Sequence, residues 1–188
     1  MEPPVYPTVT LDLILDRFST KQVLHGVLHS ILFHRLFGTI KPKELEVLNI
    51  TMPGVDNPEM EQLVNEKVDA FWRGIEGGSK RGQRPSKILV TFSERKPKKS
   101  WFQVYMGEED VPWEQWIINA ELRQLKSDQE RANLHSALTT ILTKIVFTML
   151  THTSSEQGRA AVPPITNAAG ISPFPIQISV KVGDVEIG

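Results

Sequence analysis

No cysteine occurs anywhere in the chain, so disulfides, thiolate metal sites and cysteine nucleophiles are excluded together, and a reducing compartment suits the composition. An excess of one charge is also missing. Lys and Arg number 21 against 22 Asp and Glu, a formal net charge of −1 that leaves no global field to draw the protein to nucleic acid or anionic lipid. Partner choice then depends on local surface. No uninterrupted apolar run approaches the ~18 residues that would span a bilayer. The start, Met1-Glu2-Pro3-Pro4, lacks the basic-then-apolar order of a leader. The expectation is a cytosolic or nuclear protein with no transmembrane segment. Its 188 residues suit a single domain, 1–188, which at this size buries about 70% of its unfolded surface.

What is present reads as α+β. Val9, Leu11, Leu13 and Leu15 alternate as in a half-buried strand, and Val23, Leu24, Val27, Leu28 and Ile31 then recur at helical spacing up to Gly38. A short strand is expected over residues 45–52, with Pro53-Gly54 as its turn. Asn57-Pro58 opens a second helix along Met60, Val64, Val68, Phe71 and Ile75, ending at Gly77-Gly78. Three strands follow: Ile88, Val90 and Phe92 mark the first, and Phe102, Val104 and Met106 the second, with Arg95-Lys96-Pro97-Lys98-Lys99 as a charged turn between them. In the third, Trp116, Ile118, Ala120 and Leu122 face the core, and its length suggests the central strand. Ser127 and Glu130 have capping-box spacing and open the longest helix, with Leu134, Leu138, Ile141, Leu142, Ile145 and Met149 as its stripe and an end near Thr151. Residues 154–170 read as a long loop, and Phe174, Ile176, Ile178, Val180 and Val182 as the last strand.

Catalytic motifs are scarce. His25 and His29 stand at i and i+4, the spacing of helical zinc ligands, but without the intervening glutamate of zinc proteases or cysteines to complete a four-ligand set, so no metal is expected. Gly74-Ile75-Glu76-Gly77-Gly78-Ser79-Lys80 fails as a phosphate loop, because Ser79 stands where the second glycine belongs and the segment follows a helix. Glu108, Glu109 and Asp110 read as a solvated turn. The basic residues 95–99 beside Trp101, Phe102 and Tyr105 resemble single-strand nucleic-acid binders in composition, but a charged hairpin tip guarding a sheet edge fits better. Catalytic residues, cofactors and nucleic-acid partners are therefore not expected.

The longest helix is unusual on its outer side. Opposite the core stripe lie Ser136, Thr139, Thr140, Thr143, Phe147 and Leu150, none of them charged. A water-facing side normally carries charge, so this face is expected to be covered, either by other helices of the domain or by a partner.

Two blocks carry a family likeness: Val23-Leu24-His25-Gly26-Val27-Leu28-His29-Ser30-Ile31-Leu32-Phe33-His34-Arg35, followed by Val111-Pro112-Trp113-Glu114-Gln115-Trp116. In this order they resemble the autophagy-related protein 101 family. Gln129-Glu130-Arg131 and Ile178-Ser179 are similar as well. The resemblance implies a HORMA-like fold, a mostly antiparallel sheet backed by three helices, with no catalysis. It further implies a cytoplasmic subunit of the autophagy-initiation kinase complex at the phagophore assembly site, which pairs with and stabilises the HORMA domain of autophagy-related protein 13. HORMA pairs of this kind pack through the long third helix, which assigns Ser136, Thr139, Thr140, Thr143 and Phe147 to the partner interface. The family also carries an exposed Trp and Phe loop that recruits downstream factors, which points to Trp101 and Phe102. Here the two are adjacent rather than separated, and a core-facing strand position for Phe102 competes with that role. The short tail after Val182 leads to the expectation of a fixed form without peptide-clamping. Other readings are a HORMA-type peptide-binding adaptor of another pathway, or a hydrolase built around His25 and His29.

Overall fold

The strand at the sheet's edge, β1 (Thr8–Leu15), turns Leu11, Leu13 and Leu15 into the core, as a period of two dictates. The computed structural model describes residues 5–77, 85–99, 105–167 and 170–188. After β1 the Asp16 carboxylate accepts the N–H groups of Phe18 and Ser19 and turns the chain into α1 (Thr20–Arg35). This helix is buried on most sides because the sheet, α2 and a small hairpin all pack on it. Gly26 is required there, since a Cβ would lie 2.6 Å from the Val47 Cγ2 of that hairpin.

The hairpin consists of β2 (Pro42–Val47) and β3 (Ile50–Val55), where the sequence pattern suggests one strand. The turn is Leu48-Asn49, both at positive φ (49° and 65°), the conformation a two-residue hairpin loop needs to match strand twist. Pro53 and Gly54, read as a turn, instead pair with Glu44 and Lys43 inside β3. Leucine is a poor signal for a left-handed turn position, which is why the pattern misleads. Asn57 then caps α2 (Pro58–Glu76) through Oδ1, accepting Met60 N–H at 3.1 Å, and Val64, Val68 and Phe71 are buried.

The first and third expected strands lengthen into β4 (Ser86–Lys99) and β5 (Tyr105–Leu122); of the expected second strand Met106 lies in β5, while Phe102 and Val104 lie outside the described residues. Arg95 to Pro97 are strand, paired with Asp110 to Glu108, so neither the basic nor the acidic stretch is a turn. Opposite charges face each other across the ladder, with Arg95 Nε 3.4 Å from an Asp110 oxygen. This outer half of the hairpin is an arm reaching past β6 (Ile176–Val182), which pairs only with residues 86–92 of β4. Ser93 N–H makes one more bond, to Pro175 O, and Pro173 and Pro175 have no N–H with which to continue. Burial cannot impose alternation where both faces meet solvent, so residues 94–98 and 107–110 of the arm have no apolar signature.

Ser127 caps α3 (Asp128–Ser154) by accepting Glu130 N–H, and Glu130 reaches back to Lys126 N–H at 2.6 Å, one residue before the expected capping-box donor. The helix runs three residues beyond Thr151, and the stretch expected to be loop begins with α4 (Glu156–Ala160). The chain ends on β6 and β7 (Val185–Glu186). Sheet order is β1-β5-β4-β6-β7, with β1 and β5 parallel and the other pairings antiparallel. The α+β class with a mostly antiparallel sheet and three main helices is therefore observed. The middle strand is β4, not β5.

Candidate functional site

Strict alternation would bury only every second residue of β5, yet Trp113 and Glu114 are both buried. The cause is a β-bulge: Phe92 faces Glu114 while its neighbour Ser93 faces Pro112, leaving Trp113 as the extra residue. The bulge turns Trp113 onto the rings of Phe92 and Phe174, at centroid distances of 5.6 and 5.3 Å. Glu114 meanwhile enters the core with no exposed surface.

A bare carboxylate there would be costly, and its oxygens are fully engaged. Arg35, the last residue of α1, donates from Nε to Oε1 at 2.8 Å and from Nη2 to Oε2 at 2.6 Å. This is the bidentate geometry that arginine favours with carboxylates. Trp116 Nε1 donates to Oε1 at 2.6 Å, and His152 Nε2 lies 2.8 Å from Oε2. Arg35 also donates to Gly158 O at 2.9 Å, binding α4 into the group. Gly158 must be glycine, because a Cβ would collide with the His152 carbonyl oxygen. One buried clasp thus joins the end of α1, the middle of β5, the end of α3 and α4. The two sequence blocks singled out above meet in space at Arg35 and Glu114. With every oxygen committed to a donor, the group holds structure and offers no free base.

The pair His25 and His29 lies elsewhere, facing α2, where Glu61 joins them, a residue that the sequence reading did not connect with them. His25 Nε2 is 2.7 Å from Glu61 Oε1, and Lys43 Nζ is 2.7 Å from Glu61 Oε2. Burial would raise the Glu61 pKa, but the Lys43 and His25 hydrogen bonds outweigh it and hold the carboxyl down at about 2. Burial, then the nearby His25, pushes His29 down to about 4. An open cleft of about 590 Å³ lies between the arm and the segment before β6, lined by Arg95, Glu108 and Pro173 among others and by no histidine.

On α3, Leu134, Leu138, Leu142, Ile145 and Met149 are buried, and the opposite face is open to solvent in the isolated chain. Ser136, Thr140 and Thr143 are exposed, Phe147 is 64% and Leu150 49% exposed, and Thr139 is half-buried beside the Leu48 carbonyl oxygen. The other helices of the domain leave this face uncovered. The threonine hydroxyls turn back onto their own helix: Thr139 donates to His135 O, Thr140 to Ser136 O and Thr143 to Thr139 O. What points outward is largely methyl and aromatic surface. Low charge brings α3, among the described residues, within the length and hydropathy range of a membrane helix, but its stripe packs in the core. Trp101 and Phe102 lie outside the described residues.

Three main helices packed against a mostly antiparallel, bulged sheet define the class of the fold: a mixed α+β domain of HORMA-like layout. The family model for autophagy-related protein 101 matches residues 12–169. Autophagy-related protein 101 of Arabidopsis thaliana is 30% identical over 188 aligned positions, covering 89% of this chain and 84% of the plant protein. That of Schizosaccharomyces pombe is 31% identical over 172, covering 90% and 85%. The chain belongs to the autophagy-related protein 101 family, a non-catalytic HORMA-domain family of autophagy.

Proposed function

We propose that this protein is the cytoplasmic scaffold subunit of the autophagy-initiation kinase complex, pairing through α3 with the HORMA domain of autophagy-related protein 13 at the phagophore assembly site. One observation carries the reading: the outer face of α3 from Ser136 to Leu150 carries a single exposed charge, Lys144, is uncovered by its own domain, and is built largely of threonines whose hydroxyls are already satisfied. Such a face loses little when dehydrated. It buries Phe147 and Leu150 against a partner without stranding polar groups. Pairing stabilises both chains by mass action, by about 2.7 kcal/mol at a hundred times Kd. Trp101 and Phe102, between β4 and β5, serve as the recruitment element for downstream factors.

Co-expression with the partner HORMA domain tests this. The wild-type chain co-elutes with it, whereas Thr140→Lys combined with Thr143→Glu abolishes co-elution and leaves the melting temperature of the isolated chain within a few degrees. Retained co-elution by that variant would refute the interface. Trp101→Ala with Phe102→Ala preserves both folding and pairing; an unfolded double variant would instead assign these residues to the core.

A further inference from the structure

Glu61 supplies the carboxylate that the sequence around His25 and His29 lacks. Among the described residues, His25, His29 and Glu61 form a group of metal-ligand type whose donor atoms all lie within 4.8 Å of one another. His25 Nε2 and His29 Nε2 stand 2.7 and 2.9 Å from the two Glu61 oxygens, so both rings aim the same nitrogen at one carboxylate. A second feature points the same way. His29 has no exposed surface, and its Nε2, though close to Glu61, is off the hydrogen-bonding line, leaving a buried polar atom directed into the cluster without an aligned partner.

We propose that His25, His29 and Glu61 form a binding site for a divalent transition metal, best matched by Zn²⁺, at the junction of α1 and α2. Two imidazole nitrogens and one carboxylate oxygen are a three-ligand zinc set, with the fourth position left to water on the partly exposed side of His25 and Glu61. Bonds of about 2.0–2.2 Å at a tetrahedral angle need donors about 3.3 Å apart, so rings and carboxylate retreat by roughly half an ångström. Gly26 stands where helical zinc proteases carry their glutamate base. The site therefore holds a metal without the group that would make it hydrolyse.

Two rearrangements accompany binding. Lys43, a partly exposed cation on the same carboxylate, swings into solvent. His29 Nδ1, which accepts Val55 N–H at 3.4 Å, takes up the ring proton once Nε2 binds metal, and Val55 N–H loses that acceptor.

Titration of the purified full chain with Zn²⁺, and with Co²⁺ as a visible probe, tests the site alongside His25→Ala and Lys43→Met. Metal-free melts establish that each variant folds. One equivalent binds and raises the melting temperature, and the Val55 amide resonance shifts. His25→Ala weakens affinity more than about tenfold, the least expected when even an outer-shell partner is lost. Lys43→Met tightens it by removing the competing cation. No stoichiometric binding at micromolar Zn²⁺, binding indifferent to His25→Ala, or weaker binding by Lys43→Met would each overturn the proposal.

Discussion

Burying a carboxylate costs several kcal/mol unless donors replace its water. Glu114 is given four close polar contacts: two from Arg35, one from Trp116 and one from His152. Removing one charge of such a pair leaves the other stranded in the core, so Arg35→Leu and Glu114→Leu are each expected to cost about 3–5 kcal/mol in urea unfolding. The double variant leaves no buried charge and loses far less than the two single losses combined. Additive losses in the cycle would mean that the two residues do not act as a unit. Little of this was legible beforehand. The pair is 79 residues apart in sequence, and each partner alone has the composition of a surface residue. The one hint was that Arg35 closes an otherwise apolar helix block and that Glu114 sits between two tryptophans.

Elements with one solvated face were readable because burial imposes a period on them: β1, α2, α3 and the inner half of β5 all follow their expected stripes. Elements shaped by other forces were not. The β2–β3 turn depends on positive φ at Leu48 and Asn49, and Leu48 is retained there while packing against the core. Asn49 tolerates this conformation and a β-branched side chain does not, so Asn49→Val is expected to destabilise by about 1–2 kcal/mol. A urea midpoint unchanged from wild type would contradict the turn. The arm escaped detection for the opposite reason, since cross-strand charge pairing rather than burial organises it. On α3 the scarcity of charge was legible; that the face stays open after folding was not.

Across the whole molecule, acid should act through histidines kept neutral. Burial pushes His29 and His34 from 6.5 to about 4, helped in His34 by the adjacent Arg35 charge. Unfolded chains take up these protons near pH 6.5 and the folded protein only near pH 4. Unfolding thus binds protons across that window, and stability falls as pH drops from 6.5 toward 4. Glu61 adds a loss at lower pH, because its folded carboxyl titrates near 2 rather than 4.5 and its contribution, complete above 4.5, disappears below. Denaturation midpoints measured with chelator at pH 7, 5.5 and 4.5 should decline in that order. A flat profile would show that these histidines are solvated.

The sequence by itself determined the α+β class, the core stripes, the helix caps at Asn57 and Ser127, and the two blocks that carry the family likeness, because each depends on neighbours within a few residues or on a burial period. Only the tertiary structure decided that these blocks close on each other as Arg35 and Glu114, that Glu61 joins His25 and His29, and that the domain leaves the outer face of α3 uncovered. Those outcomes depend on a bulge, a turn and the docking of distant helices, where contact between residues far apart in the chain sets the energy.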